Sequence, residues 1–131
     1  MNTRILIVDD DWICLQLLKR RLEKKGYEVL TARNEKEFWD QAFDPYADFA
    51  LILVNICLNN RLGTDVYQCL LHFGMNEKIP VIFTTGLAEG NENWQILRDD
   101  DYSFVPKTVD LENLEEEIER MLQTNTLKNV A

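Results

Sequence analysis

The sequence predicts an α/β fold: a doubly wound, five-stranded parallel sheet between two helical layers. Three observations predict it. Strand-like and helical patterns alternate five times along the chain. The connections between them are short, which in a parallel sheet calls for right-handed crossovers. Three of the strands are apolar throughout, as strands covered on both faces are, while the second and fifth read as edges. Three inner and two outer strands suggest the order 2-1-3-4-5.

Each element has its own signal. Ile5–Val8 is the first strand. Residues 12–25 form a helix that buries Cys14, Leu15, Leu18 and Leu22 at helical spacing, and Gly26 ends it, because glycine takes the left-handed conformation of a helix terminus at low cost. Tyr27–Thr31 alternates apolar and polar residues, as a half-exposed edge strand does. A second helix, about 34–43, is closed by Pro45. Phe49–Val54 is the most apolar strand and is placed at the centre.

A polar loop, Asn59-Asn60-Arg61, then leads to Gly63 and a third helix over 64–73, with Val66, Cys69, Leu70 and Phe73 on one face. Pro80 opens the fourth strand, Val81–Thr84. Residues 88–98 make a poor helix, weakened by Gly90, Asn91 and Asn93 but anchored by Trp94 and Leu97. Ser103–Val105 is a short edge strand. Asp110 caps a last helix in which Leu111, Leu114, Ile118, Met121 and Leu122 recur at helical spacing. Residues 125–131 are expected to be a frayed polar tail, so the single domain is 1–124, with no room for an output domain.

Bulk properties exclude several function classes. At 131 residues the chain is one domain, able to bury about two-thirds of its unfolded surface. Fourteen basic against 23 acidic residues give a net charge of −9, which argues against nonspecific binding to nucleic acid or anionic membranes. No apolar run approaches the roughly 20 residues of a membrane span, and no signal-peptide pattern precedes the first strand, so the expected compartment is the cytoplasm. Cys14, Cys57 and Cys69 show no C-x-x-C spacing, and neither a disulfide framework nor a zinc site is indicated. Charge is segregated: Lys19, Arg20, Arg21, Lys24 and Lys25 lie on the first helix, and six acids lie between Asp110 and Glu119. Two solvated faces explain this, and so does a basic first helix that recognises an acidic partner surface.

In a sheet of this order the functional crevice lies beyond the strands' carboxyl ends, between strands 1 and 3. Asp9, Asp10 and Asn55 end those two strands; Thr84, Thr85 and Gly86 end the fourth, and Lys107 follows the fifth. Adjacent aspartates are costly unless neutralised, and a hard divalent cation with oxygen ligands neutralises them. Asp11 reads equally well as a helix cap. A hydroxyl and a cation at neighbouring strand ends suit phosphoryl oxygens. The residues around Asn55 lead one to expect an aspartate there, and an amide keeps the shape while losing the nucleophile.

These segments resemble the receiver domain of two-component response regulators over about residues 3–123. The matching pieces are Ile5-Leu6-Ile7-Val8-Asp9-Asp10-Asp11; Leu53-Val54-Asn55-Ile56-Cys57-Leu58 with Gly63; Pro80-Val81-Ile82-Phe83-Thr84-Thr85-Gly86; and Phe104-Val105-Pro106-Lys107. The separations of 45 residues from Asp10 to Asn55, 30 to Thr85 and 22 to Lys107 are similar to that family's. The resemblance implies a flavodoxin-like, three-layer fold. Its order 2-1-3-4-5 is already known for receiver proteins and is no independent derivation here. It implies Mg²⁺ held by Asp9, Asp10, position 55 and the Cys57 backbone carbonyl. Asn55 stands at the phosphoacceptor position, Thr85 and Lys107 at the phosphoryl contacts, and Phe104 at the aromatic switch. It further implies protein partners: a histidine kinase, a phosphotransfer protein or a downstream effector.

Departures from the family pattern limit that chemistry. Asn55 forms no acyl phosphate, and a pocket with one carboxylate fewer holds Mg²⁺ more weakly. Thr108 replaces the usual proline, Gly86 an alanine, and Asn59 a loop proline. The expected function is a signalling module rather than an enzyme: a pseudo-receiver that works through protein contacts. An ordinary phosphate-accepting receiver carrying an Asp-to-Asn change is the alternative, and a flavodoxin-like metal-dependent phosphatase a remote one. No phosphate-cradling glycine motif follows any strand to support the last.

Overall fold

The computed structural model describes residues 3–42, 48–55, 57–58, 61–62, 79–85, 102–106 and 111–130. Along the chain run β1 (Arg4–Val8), α1 (Trp12–Lys24), β2 (Glu28–Ala32), α2 (Glu35–Ala42) and β3 (Leu51–Asn55). There follow a two-residue pair, β4 (Cys57–Leu58) and β5 (Arg61–Leu62), then β6 (Val81–Thr85), β7 (Tyr102–Pro106) and α3 (Leu111–Val130). The five longer strands pair in parallel in the order β2-β1-β3-β6-β7, which is the predicted 2-1-3-4-5. The helices predicted at 64–73 and 88–98, the Pro45 stop and the Asp110 cap lie outside the described residues.

Period-two alternation divides the strand side chains between two cores. Leu6, Val8, Ile52, Val54, Val81 and Phe83 face one side, where Phe38 of α2 covers them. Ile5, Ile7, Leu51, Leu53 and Ile82 face the other, against Leu15, Leu18 and Leu22 of α1 and Leu114, Ile118 and Met121 of α3. Helices therefore lie on both sides of the sheet, and strand runs such as Leu51–Asn55 are buried throughout. This is the three-layer arrangement expected of apolar parallel strands.

The structure corrects several boundaries. The second strand begins at Glu28, because the Tyr27 N–H still bonds Leu22 O at the helix end, while Gly26 takes φ +97°. The third strand begins at Leu51 rather than Phe49: Asp48 turns the chain at φ +43°, and Phe49 packs into the core from outside the ladder. Cys14 is half-buried, not buried like Leu15, Leu18 and Leu22. Arg61, read as part of a polar loop, pairs antiparallel with Leu58; strands of two residues are too short to show a period. The last helix runs to Val130 through the segment expected to fray, which contains neither glycine nor proline to stop it.

Part of the segregated charge meets between α1 and α3. Arg21 of α1 donates to Glu115 of α3 at 2.6 Å, and Lys25 lies 3.2 Å from Glu115 and 3.1 Å from Glu119. The Glu115 side chain is only 7% exposed. The Arg21 hydrogen bond, aided by Lys25 and opposed by burial, holds its carboxyl below the ordinary 4.5. Hydrogen bonds from Lys25 to Glu119 and then Glu115 raise the Lys25 pKa. A lowered carboxyl pKa contributes stability that is complete above 4.5 and is lost as pH falls through the folded-state value. Glu115→Gln is therefore expected to lower the urea midpoint at neutral pH. Its gap from the parent should hold down to about pH 4.5 and narrow as pH falls further. A gap that stays constant into acid would assign the effect to packing rather than charge.

Candidate functional site

The pocket grows out of the sheet register. Val8 pairs with Val54, and Asn55 with Thr84, so the carboxyl ends of β1, β3 and β6 finish side by side. Thr85 pairs with Pro106, which places the chain just before Lys107 at the same edge. Asp9 is held there by its N–H, which bonds Ala32 O at 3.0 Å.

Asn55 joins the strand ends. Its Nδ2 lies 3.3 Å from Asp9 Oδ1 and 3.3 Å from Asp10 Oδ1. Asn55 is 6% exposed and Asp9 3%, while Asp10 is exposed. Asp9 Oδ1 also accepts the Asp11 N–H at 2.9 Å. Asp11 is the cap of α1: its Oδ1 accepts from Ile13 N at 3.0 Å and Cys14 N at 3.3 Å. Its role is thus the capping one weighed from sequence, and its carboxylate is turned to the helix.

Of the predicted site residues, the structure brings Asp9, Asp10 and Asn55 into contact. Thr85 ends β6, Phe104 is the middle residue of β7, and Cys57 opens β4 two residues past Asn55. Lys107 lies outside the described residues. Thr84 is buried and level with Asn55, a polar neighbour to which its sequence pattern assigns no role. Beside the pocket, the Arg33 guanidinium sits 5.3 Å from the Trp12 ring centroid. That contact, between residues 21 positions apart, has no sequence signature.

The model of the response regulator receiver domain matches residues 5–119. The chain belongs to that family. This receiver domain is 29% identical to a CheY-like response regulator receiver domain protein of Methanospirillum hungatei JF-1. The TM-score is 0.81, with 98% of this chain and 99% of that one covered. It is 28% identical to the polar-differentiation response regulator DivK of Brucella anthropi over 122 residues, which is 93% of this chain and 98% of the relative. It is also 41% identical to the nisin biosynthesis regulatory protein NisR of Lactococcus lactis over 66 residues, a stretch spanning 28% of that protein.

As a receiver domain it is a signalling module of two-component systems. No described helix is long and apolar enough to cross a membrane. Receiver domains usually bind Mg²⁺ at the phosphorylation site, and this donor set does not fit the ion as it stands. A hard cation takes oxygen ligands. Asn55 turns its nitrogen, not its oxygen, to both carboxylates.

Proposed function

We propose that this receiver domain takes no phosphate at position 55 and signals through protein contacts, as a pseudo-receiver in the cytoplasm. One observation carries the reading: the acceptor position at the end of the central strand is an amide that donates to Asp9 and Asp10. An amide oxygen is neutral and a poor nucleophile, so attack on a phosphoryl donor is lost. In this reading Thr85, Lys107 and Phe104 keep the places of the family's contact and switch residues without a phosphoryl group to follow. Cys57 keeps the place of the backbone ligand, and Mg²⁺ binds more weakly than at three carboxylates.

A contact surface lies beside the pocket. Ile13 of α1 is 77% exposed, and Trp12 and Leu17 are exposed with it. Arg20 and Lys24 continue the same helix as exposed cations. Arg21 and Lys25 do not count toward a partner in the same way, since Glu115 and Glu119 already engage them. An acidic, partly apolar protein surface, on a kinase, phosphotransfer protein or effector, fits what remains.

The test is direct. Incubation with Mg²⁺ and a small phosphodonor is expected to leave the intact mass unchanged. A stoichiometric adduct, stable to acid and labile to base, would overturn the reading.

A further inference from the structure

We propose that the Asn55 amide takes in this pocket the bridging place of a divalent cation, so that the Asp9 and Asp10 carboxylates are held to the end of β3 without metal. The inference rests on reading this pocket as the receiver's, but not on whether the chain accepts phosphate.

The geometry is that of a bridge. One Nδ2 stands 3.3 Å from a carboxylate oxygen of Asp9 and 3.3 Å from one of Asp10. A primary amide has two N–H groups, one for each acceptor. The opposite rotamer would set the amide oxygen against two anionic oxygens, so chemistry decides the orientation. Asp9 and Asn55 are both buried, where an uncompensated carboxylate is disfavoured. N–H groups engage Asp9 as well: Asp11 N–H donates to Asp9 Oδ1, and the N-terminus of α1 begins three residues after Asp9.

Two consequences separate this role from ordinary packing. A cation entering between the carboxylates must break both amide hydrogen bonds, so the parent protein gains little from it. Replacing the amide removes the bridge and leaves carboxylates that a cation then stabilises by binding the folded state.

The experiment measures thermal unfolding of the full chain, Asn55→Asp and Asn55→Ala, in EDTA and in excess MgCl₂. The parent midpoint is expected to differ by less than about 1 °C between the two conditions. Both variants are expected to melt about 3 °C or more below the parent in EDTA and to recover part of the loss with Mg²⁺. Calorimetric titration with MgCl₂ gives a second readout: heat that saturates for Asn55→Asp, and no saturation for the parent over the same concentrations. A parent midpoint that rises with Mg²⁺ as far as that of Asn55→Asp would overturn the proposal. So would variants as stable as the parent in EDTA. If Asn55→Asp fails to fold in either buffer, Asn55→Ala decides. The phosphodonor experiment is indifferent to this result, because an amide can fail as acceptor whether or not it replaces the cation.

Discussion

Phe38→Ala is expected to cost about 3–5 kcal/mol, a large part of the 5–15 kcal/mol typical of a domain. Phe38 is fully buried and packs among Leu6, Val8, Ala32, Phe49, Ile52, Val54, Val81 and Phe83. It also meets the Trp39 ring edge-on at 4.8 Å. Its helix, α2, has only eight residues, too few to hold helical form without docking. Truncation therefore opens a cavity and weakens the anchor of a whole element. Urea unfolding of the variant measures the loss. Lys36→Ala makes the control, because the Lys36–Asp40 pair is exposed and contributes little. A Phe38→Ala cost below about 1 kcal/mol would mean that α2 contributes little to that core.

Asn55→Asp is expected to turn a protein that takes no phosphate into one that takes one equivalent. The carboxylate would stand at the end of β3, level with Thr84 and beside Asp9 and Asp10. In the presence of Mg²⁺ and a small phosphodonor, its oxygen attacks phosphorus as the donor's leaving group departs. Intact mass should show one added phosphoryl group, removed by mild base. Failure of a folded, Mg²⁺-binding Asn55→Asp protein to label would mean that Gly86, Thr108 and the other departures have dismantled the pocket independently. The contrast with the parent isolates one atom, since the amide and the carboxylate share a shape.

Much of the site was legible in the sequence for a simple reason. Strand ends in a parallel sheet are fixed by local pattern, so Asp9, Asp10, Asn55 and Thr85 could be assigned to one rim before any distance was known. What the pattern could not supply was orientation. Which way Asn55 turns its amide depends on two carboxylates 46 and 45 residues away.

The charged helices teach the same lesson in the opposite direction. From sequence, the basic residues of α1 and the acids near α3 read as separate solvated faces, or as a surface for a partner. In the folded chain the two helices share one side of the sheet, and Arg21 and Lys25 find Glu115 and Glu119 within it. Of the cations read as a surface for a partner, Arg20 and Lys24 stay exposed and outside these pairs.

By itself the sequence determined the fold class and the amide at position 55, because these follow from periodicity and residue identity, while its resemblance to the receiver family supplied the family and the strand order. Only the tertiary structure decided what that asparagine does and where the helix charges go. Both depend on side chains far apart in the chain, whose meeting is set by packing across the sheet and not by any local pattern.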